Sequence, residues 1–592
     1  MASEVTKYSV FDPRIVQTKP KYAVEKGALS ITNVSFNAQT ASSSTVQFNV
    51  QVPSENVFID RAVDLIATQT ASVSLTFQSP GDIPIGTSLA GLLSLAAFPV
   101  QQSVSQASAT INDATVTVNT QDVLAQVLRL SDMSEARKQR TCPTMLDRYA
   151  YYPDSRVVGN DIFRSWDQRF ESDEVPNAGF VGFQYNSAAW AASTVGTGPV
   201  IAATTGAGAY TIVNGVPVVT TAITDGSVLP FYLSWEVAEK LLLPPFVFTG
   251  QDELSTGLFG VQNFQVQLNL TATPARSVRA NTHTSLPATG GGFGHVSAVS
   301  TPAWGSPNSG TYGPFKGLPQ LSVQFLTPAL DIPLPPKSIV PYLEFPRYLT
   351  TGLDPTASVL QSNTITLPNI CDLLLIYVKP TNYASCAQGD WTMPIKSISV
   401  NFDNFSGLLA NHTQEELYKM SVDNGVDMDW SEWTGAAPVA ESYVGASWST
   451  ANAQGGFVPT VGGPLVLRPG RDFQLQAGQA PGIVGNFTLQ FNLTVDNTYL
   501  DLGSSVTIYL VTISSGFFET IKGSSRIIKG VLTEQDVLSA PAHAPEADLE
   551  RQVGAGRHSG AMGRRRHGGA AHHMTMGRLG HGGAAHHMTA YM

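Results

Sequence analysis

The chain has 592 residues, of which 13% are charged and 43% hydrophobic, with 52 glycines, 37 prolines and a net charge of −11. That length suits two domains or one duplicated unit, and the composition excludes wholesale disorder while favouring a β-rich protein with long loops over a helical one. Three cysteines, Cys142, Cys371 and Cys386, are odd in number and lack CxxC spacing, so they imply neither a disulfide framework nor a zinc site and point to a reducing compartment.

Glu4 and Lys7 interrupt the N-terminus where a secretory signal needs an apolar run, so residues 1–28 read as an arm. Val46, Phe48, Val50 and Val52 alternate with polar residues, the pattern of a half-buried strand. The most apolar tract, Leu89 to Val100, is broken by Gly91, Ser94 and Pro99 and falls short of the ~18 residues that span a bilayer, so no transmembrane segment is expected. A helix follows Val116 to Asn119, around Gln121 to Leu130, with Val123, Leu124, Val127 and Leu128 on one stripe. Residues 187–228 and 280–317, rich in Gly, Thr, Ser, Ala and Pro, read as long surface loops. Cys371 to Val378 is continuously apolar and predicts a deeply buried strand. Ile398, Val400 and Phe402 alternate again, ahead of a helix over Thr413 to Asn424 that opens on a Thr413/Glu416 capping box and ends at Asn424-Gly425.

The stretch Asn263-Phe-Gln-Val-Gln-Leu-Asn-Leu-Thr271 recurs as Asn486-Phe-Thr-Leu-Gln-Phe-Asn-Leu-Thr494. Each copy precedes a further alternating strand, Leu321, Val323 and Phe325 in one half and Val506, Ile508 and Leu510 in the other. The strand at Val116 to Asn119 and the strand at Ile398 to Asn401 each stand before a helix, so three landmarks recur in one order and predict duplicated β-sandwiches. Asn269 and Asn492, though followed by Leu-Thr, lie inside these strands and read as strand residues rather than glycan acceptors.

No GxSxG, Walker A, GxGxxG or HExxH motif occurs, and only His283, His295 and His412 precede residue 540, so no catalytic, cofactor-binding or metal-ligating residue is assigned and the chain reads as a non-enzyme. The acidic group Asp423, Asp427, Asp429 and Glu432 lacks EF-hand spacing and reads as a solvated loop, with Trp430 and Trp433 as packing anchors. The C-terminus is different in kind: Met562 to Thr575 is repeated as Met576 to Thr589. From residue 551 onward it holds Arg551, Arg557, Arg564, Arg565, Arg566 and Arg578 and no acid. Such segregation in an acidic chain predicts a disordered arm that meets nucleic acid through those six arginines. Transition-metal binding by His567, His572, His573 and their copies His581, His586 and His587 is the alternative, and a passive tail the third reading.

Specific tracts carry a family resemblance. Leu243-Pro-Pro-Phe-Val-Phe-Thr-Gly250, Thr327-Pro-Ala-Leu-Asp-Ile-Pro-Leu-Pro-Pro336, Tyr342-Leu-Glu-Phe-Pro-Arg-Tyr348 and Leu417-Tyr-Lys-Met-Ser-Val-Asp-Asn-Gly425 resemble stretches of the double jelly-roll major capsid proteins of virophages and Polinton-like viruses, in the adenovirus hexon-like lineage. The resemblance implies an all-β fold of two tandem eight-stranded jelly rolls, the first over 29–335 with long insertions, the second over 336–522, and a C-terminal extension over 523–592. It also implies a homotrimer that tiles an icosahedral virion shell around double-stranded DNA, with neighbouring capsomers, penton and minor capsid proteins as partners. The basic tail has no counterpart in that resemblance. The rival reading is a carbohydrate-binding or adhesin-like tandem sandwich.

Overall fold

In the computed structural model, the structure describes residues 28–130, 146–148, 184–186, 200–247, 257–280, 293–304, 318–328, 337–380, 390–438, 457–496 and 505–530, less 43, 79–82, 87–88, 90–92, 214–215, 272–273 and 300–302. Among the described residues, the jelly roll of the first half is built from β1 (Ala28–Asn37), β2 (Thr45–Gln51), β3 (Phe58–Gln78), β4 (Val104–Ile111), β5 (Ala114–Val118), β6 (Val228–Lys240), β7 (Asn263–Leu270) and β8 (Gln320–Pro328). They form two antiparallel sheets, ordered β1-β8-β3-β6 and β2-β7-β4-β5, the strand order of a jelly roll. The second half repeats it with β9 (Ser338–Glu344), β10 (Arg347–Leu353), β11 (Ile365–Asn369), β12 (Leu373–Pro380), β13 (Ile395–Phe402), β14 (Phe405–Leu408), β15 (Leu465–Leu467), β16 (Val484–Val495) and β17 (Val506–Ile521). Here β17 lies between β12 and the pair β9/β10, β15 flanks β12, and the facing sheet runs β11-β16-β13-β14.

The duplicated stretches are β7 and β16, each the second strand of its sheet, and the strands after them are β8 and β17, so the repeat in the sequence is a repeat of position. Alternation does what it predicts. Val46, Phe48 and Val50 are buried, as are Phe487, Leu489, Phe491 and Leu493, while the residues between them are not. Each such side chain contributes about 1.5–3 kcal/mol of apolar burial. Strand β12 departs from alternation because both of its faces are covered: Leu374, Ile376 and Val378 point into the sandwich, and Leu375, Tyr377 and Lys379 are buried on the opposite side.

Four helices matter to the junction: α1 (Pro99–Gln102), α2 (Thr120–Val127), α3 (Gln414–Asp423) and α4 (Trp430–Trp433). Helices α2 and α3 each follow the fifth strand position of their jelly roll, β5 and β14. At α3 the capping box is complete: the Glu416 amide donates to the Thr413 hydroxyl and the Thr413 amide to the Glu416 carboxylate. The buried Glu239 carboxylate accepts the Val100 and Gln101 amides at the start of α1, at 2.8 and 3.0 Å.

Three expectations are corrected. Val116 to Val118 lies in β5 but Ile398 to Asn401 lies in β13, so those landmarks sit one strand apart; the counterpart of β5 is the short β14, too brief and Gly-broken to show a period. The insertions read as loops contain strands. Residues 209–213 and 216–221 form a hairpin joined by 201–202, anchored where Tyr210 stacks on Phe231 at 4.7 Å, and residues 293–299 and 303–304 pair with β3. Finally, β18 (Ser524–Ile528) pairs with β17, so the second sandwich continues past residue 522. No helix among the described residues is long and apolar enough to cross a membrane.

Candidate functional site

The described residues converge most strongly where the two jelly rolls meet. Asp390, in the crossover between β12 and β13, accepts hydrogen bonds from Arg276 at 3.2 Å, Arg279 at 3.4 Å and Gln102 at 2.9 Å, all three from the first jelly roll. Its amide donates to the Asp147 carboxylate at 2.8 Å, and Asp147 in turn accepts from Arg279 at 3.0 Å. Arg129 holds the Asp147 carbonyl at 2.9 Å, and Arg276 the Gln121 carbonyl at 2.8 Å. Every charged group in this set is 5% exposed or less. Taking such ions from water costs several kcal/mol each, so the net rests on hydrogen bonds that place each guanidinium fork against a fixed acceptor. The result is a directional lock rather than a large gain in stability.

Beside it, Lys379 on β12 is 2% exposed. Burial is the main cause lowering its pKa to about 7; Arg276, Arg129 and Arg279 lower it further and Asp390 opposes them. Two outer belts complete the junction. Arg347 on β10 pairs with Asp122 of α2, whose carbonyl accepts the Tyr377 hydroxyl at 2.6 Å. At the far end the β4–β5 turn reaches β18: Asp113 accepts the Ser525 amide at 2.5 Å and the Ser524 hydroxyl at 3.0 Å, and Asn112 donates to the Ser525 hydroxyl at 2.9 Å. Those bonds hold the Asp113 carboxyl below the usual carboxylate range, the Ser525 amide first among them.

The acidic group does not converge. Asp423 pairs with Arg471, Asp429 caps α4 through the Glu432 amide, Glu432 takes Arg148 at 2.6 Å, and the Asp427 amide donates to the Arg129 carbonyl, so these residues knit loops together. No group of three or more potential metal ligands occurs among the described residues. Trp433 is buried and donates to the Pro464 carbonyl at 3.0 Å, while Trp430 packs edge-on to Tyr418 and stays 39% exposed. Arg551, Arg557, Arg564, Arg565, Arg566 and Arg578, with the tail histidines, lie outside the described residues. The seam itself was missed from the sequence. Its one signal is charge in a chain poor in charge, as at Arg276 in a 3₁₀ turn and Arg279 in the short strand after it.

Two jelly rolls of one topology, locked together in a single chain, define the double jelly-roll class. Residues 3–301 match the first domain of the Sputnik virophage major capsid protein, and residues 345–516 match the C-terminal domain of major capsid protein V20. The putative capsid protein V20 of Sputnik virophage is 24% identical over 549 residues, 90% of this chain and 81% of that protein. The cryo-EM structure of the Sputnik virophage contains a chain that superposes with a TM-score of 0.63 at 22% identity, over 92% of this chain and 97% of that one. The crystal structure of the mavirus major capsid protein gives 0.58 at 15% identity, over 91% and 97%. The chain belongs to the virophage double jelly-roll major capsid proteins, structural components of the virion capsid and not enzymes.

Proposed function

We propose that three copies of this chain associate into a capsomer whose six jelly rolls form a pseudo-hexagonal tile, and that such tiles build an icosahedral shell around double-stranded DNA. The observation that carries this reading is the repeat of position between the two sandwiches. A threefold oligomer of a duplicated unit presents six comparable edges to its neighbours. The buried lock at Asp390 supports it, because a tile needs its two jelly rolls held at one angle. Neighbouring capsomers, penton and minor capsid proteins are the partners this reading implies. The arginines of the tail are assigned to the packaged DNA on charge alone.

Mass in solution tests the proposal: light scattering on the purified chain is expected to give three times its 63.0 kDa, with larger sheets or shells on concentration. A stable monomer that binds glycans and never forms a lattice would overturn it in favour of an adhesin-like protein.

A further inference from the structure

We propose that the N-terminal arm, residues 1–27, folds back on its own chain and seats on the outward face of β9, β17 and β18, at the end where the two jelly rolls are clasped. This seating does not depend on trimer formation.

The outward side of β17 is covered over part of its length only. Val511 and Ile513 are buried, in the stretch of sheet where Tyr377 reaches the Asp122 carbonyl of α2. Further along the same side is open: Phe517 is 53% exposed, Ile521 41%, and Ile339 on the neighbouring strand 44%. Strand register puts Pro341, Phe517 and Ile528 in one row across the three strands, with Ile339 and Ile521 beside it, so these side chains make one apolar surface. It is distinct from the core, since Val340 and Phe518, which alternate to the other side, are buried. The charges within it are matched already: Glu519 takes Lys337 at 2.7 Å and Arg526 at 2.6 Å. What the face offers a partner is therefore apolar area.

The arm fits this face on three counts. It leaves the chain at the same end. Strand β1 begins opposite Pro328 at the end of β8, whose Leu326 lies opposite Phe58 at the start of β3. Ile59 bridges Leu258, and the nearby Gly260 carbonyl accepts the Gly523 amide of the β17–β18 turn, so the start of the first jelly roll and the end of the second are fastened together. From there an extended arm of this length reaches up to roughly 90 Å. Its apolar residues, Val5, Tyr8, Val10, Phe11, Ile15 and Val16, are too few to make a core of their own and need a surface to cover. The match to the first domain of the Sputnik virophage major capsid protein also starts at residue 3, so the arm shares the family pattern of the jelly roll it precedes. The chain after β18 is the poorer occupant. Gly530 packs on the Gly482 carbonyl beside Val484, at the start of β16, which turns it from the patch towards the facing sheet.

The test uses the full-length chain. Trypsin has sites in the arm at Lys7, Arg14 and Lys21. Cleavage after Arg14 is expected to be about tenfold slower in the parent than in Phe517→Gln, because a seated arm is cut only when it opens. Val359→Gln, at an exposed site outside the patch, is expected to match the parent. A second measurement covers the case in which Phe517→Gln folds poorly. A Tyr8→Cys/Ser515→Cys chain is oxidised, and peptide mass analysis is expected to find the two positions joined in a species of single-chain mass. Equal cleavage in parent and variants, with no such link, would overturn the seating. A link found only between two chains would overturn it too, and would give the patch to the arm of a second copy.

Discussion

Lys379 and Asp390 show how a buried charge is tolerated only as part of a set. The lysine's pKa falls from the ordinary 10.5 to about 7 in the fold, so between those values the unfolded chain binds the proton that the folded chain has released. Stability from this group is therefore present in full above about 10.5, declines as pH falls towards 7, and is flat below that. The slope in that window is about 1.4 kcal/mol per pH unit. Chemical denaturation at pH 7 and pH 9 is expected to show the parent gaining on a Lys379→Met variant as pH rises; parallel curves would place the charged amine in water. Asp390 has the opposite role, since its carboxylate compensates Arg276 and Arg279. Asp390→Ala takes the carboxylate from buried Arg276, while Arg279 keeps Asp147, and is expected to cost about 3–5 kcal/mol, read as a loss of melting temperature.

At the level of elements, what could be read ahead was whatever depends on neighbours in the chain. Period-two strands and the cap of α3 are local, and the structure reproduces both, down to the reciprocal bonds between Thr413 and Glu416. Thr413→Ala is expected to cost about 0.5–2 kcal/mol, and an unchanged melting curve would show that the helix holds without its cap. The short β14 and the hairpin over 209–221 escaped because Gly, Ala and Thr blur the alternation. The seam escaped for another reason. Asp390 and Gln102 are 288 residues apart, and no spacing rule connects two loops that only tertiary packing brings together.

For the whole molecule, the tail offers a test independent of the shell. Removing residues 551–592 is expected to weaken retention on DNA and to lower the salt slope by ~0.9 for each phosphate its arginines neutralise, and the parent's advantage should grow below about pH 6.5 as histidines gain charge. Equal slopes for the two proteins would leave metal binding or a passive tail. The clasp between Asp113 and Ser525 has a consequence in time. These residues lie 412 positions apart, and at ribosomal rates of 5–20 residues per second the β4–β5 turn waits about 20 to 80 seconds for its partner to be made. The first jelly roll can thus finish folding while this end is still open, and the clasp is added only after the residues of the lock at Asp390 have been made. A chain cut short before β18 would carry the lock at Asp390 without this last fastening.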